Sequence, residues 1–181
     1  MSLKFKIVGF FVLLIIVWQC TVTASFSEGK IYGTTFAIGQ FPNNAALVQP
    51  SFSQALIDGL RTKIINESNL KYSEDCYSST YYYSGSIANY TVTPLAATGA
   101  NTAASNRLTV SVNIKCDTVC PVKGEKPPFI NKTYTEFADY GNDETFAVAE
   151  ERLIKEIVTK ISQQAYLDLL SASTAKNEKD E

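Results

Sequence analysis

Four cysteines, three consecutive tyrosines and four lysines around one proline-rich loop are the chemically able groups of the sequence. Cys20 closes an apolar run and is placed for acylation of its thiol. Cys116-Asp-Thr-Val-Cys120 is spaced to close a small hairpin loop, which makes Cys116 and Cys120 a candidate disulfide, with the connectivity among Cys76, Cys116 and Cys120 left open. An oxidising compartment permits such bonds, and an odd set of three leaves at least one thiol free or paired between chains. Tyr81-Tyr82-Tyr83 would place rings on both faces of a strand. That arrangement is either a strand start with a buried ring or an exposed aromatic surface that docks a partner or an acyl chain. Lys115, Lys123, Lys126 and Lys132 surround the 116–130 loop. They suit contact with anionic lipid phosphates, although loop solubility accounts for them as well. Glu150-Glu151 and Glu74-Asp75 are paired carboxylates in sequence only. Helix neighbours point apart, so Glu150 and Glu151 read as solvated surface.

Histidine is absent. That removes Ser-His-Asp and Cys-His nucleophile pairs, His metal ligands and imidazole acid/base chemistry. Neither a Gly-rich phosphate loop after a strand nor a metal-ligand spacing is present, so no cofactor and no enzyme are expected. Once the first 19 residues are removed, 14 basic groups remain against 18 acidic ones. No strongly basic field is left to hold a nucleic acid.

Lys4 and Lys6 precede an apolar run from Ile7 to Trp18 that ends at Gln19-Cys20. The run is short for a bilayer, which needs ~20 residues, and suits the ~7–15 of an export signal. A cysteine at its edge points to a lipoprotein signal with Cys20 as the first mature residue, even though Gln19 stands where a small residue is usual. A plain signal cleaved near Thr23-Ala24-Ser25 and an uncleaved anchor are the alternatives. The expected organisation is a signal over 1–19, a tether over 20–29, one domain over 30–170 and a disordered tail over 171–181.

Within the domain, the strands and helices that carry these residues follow from periodicity. Residues 30–39 and 70–73 read as strands, and Phe41-Pro42-Asn43-Asn44 as a turn. Pro50 leads into a helix whose Phe52, Leu56, Leu60 and Ile64 recur every fourth residue. Ser51-Phe-Ser-Gln54 has the form of a capping box. Tyr81 to Pro94 alternates as a strand, and Leu108, Val110, Val112, Ile114 and Cys116 alternate cleanly with polar residues. A strand over 129–140 and a second amphipathic helix over 143–170 follow. Each element has one face to bury. The economical fold is α+β, a two-layer sandwich of two helices on one face of a mainly antiparallel four- to five-stranded sheet.

Four motifs resemble the LptE family of lipopolysaccharide-assembly lipoproteins. They are Phe41-Pro42-Asn43-Asn44-Ala45-x-Leu47-Val48-x-Pro50, Gly85-x-Ile87-x-x-Tyr90-x-Val92-x-Pro94, Asn106-Arg107-Leu108-Thr109-Val110-x-Val112 and Tyr134-x-x-Phe137-Ala138-Asp139-Tyr140. They stand in the family's order from Cys20 to about Leu170. The resemblance implies an outer-membrane lipoprotein, lipidated at Cys20 and facing the periplasm. It also implies a plug within the LptD β-barrel that helps deliver lipopolysaccharide to the outer leaflet. None of the family's lipopolysaccharide-contacting residues falls in a matched motif. Lys115, Lys123, Lys126 and Lys132 are therefore candidate contacts on their own account. The alternative is a periplasm-facing lipoprotein that binds a small ligand or lipid without a barrel partner.

Overall fold

The computed structural model of the chain describes residues 31, 33–47, 49–95, 105–118 and 129–180, with side chains through Ser173. Five strands and two helices follow in the order β1 (Thr35–Ile38), α1 (Pro50–Glu67), β2 (Lys71–Tyr72), β3 (Tyr81–Leu95), β4 (Ser105–Asp117), β5 (Ile130–Gly141) and α2 (Phe146–Asp180). They form one sheet of order β2-β1-β3-β4-β5. The long strands β3, β4 and β5 make an antiparallel meander, while β1 lies parallel to both β2 and β3. Both helices pack on one face, so the two-layer α+β expectation holds.

Strand β4 buries Leu108, Val110, Val112, Ile114 and Cys116, and turns Thr109, Ser111, Asn113 and Lys115 to the open face. Strand β3 buries Tyr81, Tyr83 and Ile87, then changes phase to bury Tyr90. A bulge between Ile87 and Asn89 inserts the residue that shifts the alternation. Gly85 fits here because a Cβ would stand 2.0 Å from the Asn113 carbonyl oxygen and 2.8 Å from the Phe41 ring.

Helix α1 buries the predicted stripe of Phe52, Leu56, Leu60 and Ile64. Its start differs from expectation. Pro50 occupies the first helical turn, where a missing N–H costs nothing, and Gln49 is the cap residue with no side-chain cap bond. Ser51 therefore lies inside the helix, and no capping box forms. Ser53 instead donates to the Phe41 carbonyl at 2.8 Å and ties the helix to the preceding turn.

The two helices run parallel. Gln49 Nε2 donates to Glu150 at their beginnings, and the Tyr166 hydroxyl donates to the Glu67 carbonyl where α1 ends. Gly59 permits their close approach, since a Cβ there would meet Val158 Cγ1 at 2.3 Å. Helix α2 continues to Asp180, past Leu170, so 171–180 is helical rather than a frayed tail.

Candidate functional site

Of the residues singled out for chemistry, Tyr81, Tyr82, Tyr83 and Cys116 lie at one end of the sheet, where β3 begins, β4 ends and β5 begins. Tyr82 pairs with Asp117, and Cys116 pairs with both Tyr83 and Ile130. Two of the three tyrosines are core residues. Tyr81 and Tyr83 are each 1% exposed, and Tyr82 is half-buried on the opposite face. The tyrosine triplet thus builds the sheet rather than a docking surface. Burial first, and then the Cys116 thiol, pushes the Tyr83 hydroxyl well above its ordinary pKa. That hydroxyl meets no hydrogen-bond geometry, and the thiol is its polar neighbour.

Cys116 is free and buried, so the expected Cys116–Cys120 disulfide is not formed. The physical reason is its phase. It ends the inward series Val112, Ile114, Cys116, and its thiol lies in the core, where burial and then Asp117 raise its pKa. Cys76 is the described cysteine that is disulfide-bonded. Cys20 and Cys120, the two thiols left to pair with it, lie outside the described residues, as do Lys123, Lys126, the signal and the tether.

The two candidate lysines among the described residues, Lys115 and Lys132, are not brought together. Lys115 stands exposed on the open face and has no ion-pair partner among the described residues. Lys132 pairs with the inward-facing Ile114, so it lies on the helix side, where its Nζ donates to Asp168 at 2.8 Å. The Tyr134 hydroxyl donates to the same carboxylate oxygen at 2.6 Å. These bonds fasten α2 to β5, and Lys160 adds another by donating to the Phe137 carbonyl at 2.9 Å. Side chains of α2 thereby occupy part of a sheet edge that would otherwise present unpaired backbone groups.

Burial raises the Asp168 pKa, but the hydrogen bonds from Lys132 and Tyr134 outweigh it and hold the carboxyl below its ordinary range. A carboxyl depressed in the folded state stabilises fully above its unfolded value and loses that contribution as pH falls through its folded value. The urea-unfolding midpoint is therefore expected to drop as pH falls below about 4, the ordinary aspartate range. Asp168→Asn should remove part of that drop. An unchanged acid limb in the variant would show that this carboxylate does not couple α2 to the sheet.

Sequence reasoning missed Glu150. It and Glu151 do point apart, but Glu150 is half-buried and accepts from Gln49 and from the Tyr90 hydroxyl at 3.1 Å. It joins α1, α2 and β3. The visible signal was a polar Gln49 before Pro50 and a tyrosine in an apolar series. Burial first, then Glu150, raises the Tyr90 pKa.

A groove of about 510 Å³ runs between the helices, with Ala55, Gly59, Ile154 and Val158 as apolar lining and Asp58, Lys63, Glu67, Glu151 and Lys155 among the polar residues. The Ser162 hydroxyl lines it, buried and without a partner. Among the described residues, no group of His, Cys, Asp and Glu could hold a metal ion. None of the described helices is long and apolar enough to cross a membrane.

Two parallel helices bridged to one face of a five-stranded mixed sheet define a two-layer α+β domain in which Glu150 and Asp168 tie helix to sheet. A minor lipoprotein from Acinetobacter baumannii has this fold, at 14% identity over 78% of this chain and 93% of that one, with a TM-score of 0.50. An uncharacterized lipoprotein B from Nitrosomonas europaea aligns at 14% identity over 83% and 88%, with a TM-score of 0.48. No curated protein matches the chain. A family model described as LptE, Lipopolysaccharide-assembly, matches residues 33–169, and the chain belongs to that family. Its role lies in lipopolysaccharide assembly, among lipoproteins of the cell envelope.

Proposed function

We propose that the protein is an outer-membrane lipoprotein, acylated at Cys20, that forms a complex with the LptD β-barrel and supports transport of lipopolysaccharide to the outer leaflet. It acts by binding and assembly, with no catalytic residue. The observation that carries this reading is the family match over 33–169, which takes in every strand, all of α1 and most of α2. The hydrogen bonds of Glu150 and Asp168 support it, because each carboxylate is occupied in joining a helix to the sheet. Of the candidate lysines, Lys115 stands exposed and available to a lipid phosphate, whereas Lys132 is engaged by Asp168. Acylation of Cys20 would leave Cys120 as the partner of Cys76.

Depletion tests the reading. Cells losing the protein are expected to lose lipopolysaccharide from the outer leaflet and to accumulate misassembled barrel. Normal surface lipopolysaccharide in depleted cells would overturn the proposal. One observation favours the second reading, a lipoprotein that binds a small lipid without a barrel: the groove with its unpartnered Ser162 hydroxyl. Saturable lipid binding combined with normal barrel assembly after depletion would select it.

A further inference from the structure

Six large apolar side chains stand exposed among the described residues, and Tyr77 is the most exposed at 81%. An aromatic ring of that exposure on a loose loop would mean little, since single exposed apolar residues are common. This loop is held. The Tyr77 N–H donates to Asp75 Oδ1 at 3.0 Å, and the Ser79 hydroxyl donates to the Asp75 carbonyl at 2.7 Å. The Thr35 hydroxyl donates to the Ser78 carbonyl at 3.1 Å, and the Thr80 N–H donates to the Thr35 carbonyl at 3.1 Å. The neighbouring Cys76 is disulfide-bonded. The loop over 73–80 thus presents the Tyr77 ring outward from a fixed base.

Its location gives the exposure a meaning. The loop rests on Thr34 and Thr35, where the chain comes into the fold, and Asn69 Nδ2 donates to the Ile31 carbonyl at 3.2 Å beside it. Ten residues lie between Ile31 and Cys20, so the cysteine can stand no more than about 40 Å from this end. Ile65, near the end of α1, and Leu167, next to the Tyr166 that bonds Glu67, are exposed at the same end. Leu47 and Val148 are exposed at the other end, beside the helix beginnings. An 18-residue helix α1 separates the two ends, a length of about 27 Å.

We propose that the 73–80 loop is a membrane-contacting element, with the Tyr77 ring seated at headgroup level in the phospholipid leaflet that holds the Cys20 acyl chains. Tyrosine suits that depth because its ring is apolar and its hydroxyl reaches water. Lys71 precedes the loop and Glu74 and Asp75 lie within it, so both signs of charge are present, and the contact depends on the ring and not on anionic lipid. The inference rests on acylation of Cys20.

The single tryptophan of the sequence is Trp18, which precedes Cys20. A mature Tyr77→Trp protein therefore carries one indole, at the position in question. The full acylated variant is reconstituted in phosphatidylcholine vesicles whose acyl chains are brominated near the headgroup. Its emission is expected to shift to the blue and lose most of its intensity relative to unbrominated vesicles, equally with and without added anionic lipid. A Val148→Trp variant, at the far end, is expected to keep a water-like, unquenched emission. Equal quenching at both positions, or a water-like emission at position 77, overturns the inference. Intact mass of the same samples separates the two claims. A water-like emission from acylated protein sinks the loop contact alone, whereas unacylated protein that fails to join vesicles sinks the anchor reading with it.

Discussion

Exported behind a conventional cleavable signal in place of its first 20 residues, the protein is expected in the soluble fraction, while the native chain stays with the membrane. Each acyl chain contributes about 0.8 kcal/mol per buried methylene, and stable anchoring takes two such signals. Removing the acylated cysteine should therefore lower membrane partition by at least roughly a hundredfold. None of the described helices compensates by spanning a bilayer. Exchange of the whole signal is preferred to Cys20→Ala, because an uncleaved apolar run would itself hold the variant on a membrane. Intact mass of the native protein should show acylation and loss of the first 19 residues. Peptide mapping without reductant should join the Cys76 and Cys120 peptides. A native amino terminus after Ala24, with no acyl group, would undo the lipoprotein assignment.

Phe52→Ala is expected to cost about 3–5 kcal/mol, the range for deleting a buried phenyl ring. Phe52 is fully buried and meets the Tyr90 ring edge-on, with centroids 5.8 Å apart at 73°. It therefore seats the first turn of α1 on β3, beside the Gln49–Glu150–Tyr90 junction that holds the helix beginnings together. Its loss leaves a cavity where three elements meet. At about 2–4 °C per kcal/mol for a domain of this size, the thermal midpoint should fall by roughly 10 °C. Tyr77→Ala serves as a contrast, since an exposed ring without packing should change stability within about 0.5 kcal/mol. Circular dichroism melts of both variants check this, and equal midpoints would show that Phe52 does not organise the core.

The long elements were legible because their side chains carry their own periods. Leu108 to Cys116 alternates at every second position, and Phe52 to Ile64 recurs at every fourth. Those patterns state which face is buried without reference to a partner. Even the bulge left a trace, since the buried series runs Tyr81, Tyr83, Ile87 and then Tyr90, an odd step within a strand. The pairing of short strands was not legible. Nothing within Thr35–Ile38 or Lys71–Tyr72 says that β1 would lie parallel between β2 and β3, because parallel register is set by the crossover through α1.

The site was harder to read for the same reason. Spacing suggested a Cys116–Cys120 bridge, but strand phase decided that Cys116 points inward. Proximity in sequence gathered Lys115 with Lys132, but the pleat placed them on opposite faces of the sheet. Glu150 looked like helix surface until α1 brought Gln49 against it. The polarity of residues 171–181 suggests a tail, yet the helix runs through 171–180 to Asp180.

The domain is proposed to work by fitting another protein of the outer membrane. Affinity purification of the full-length chain from detergent-solubilised outer membranes, followed by native mass measurement, tests it most directly. Recovery is expected in a one-to-one assembly with a large β-barrel identified as LptD. Recovery of the lipoprotein alone, from membranes in which that barrel is present and folded, would contradict it.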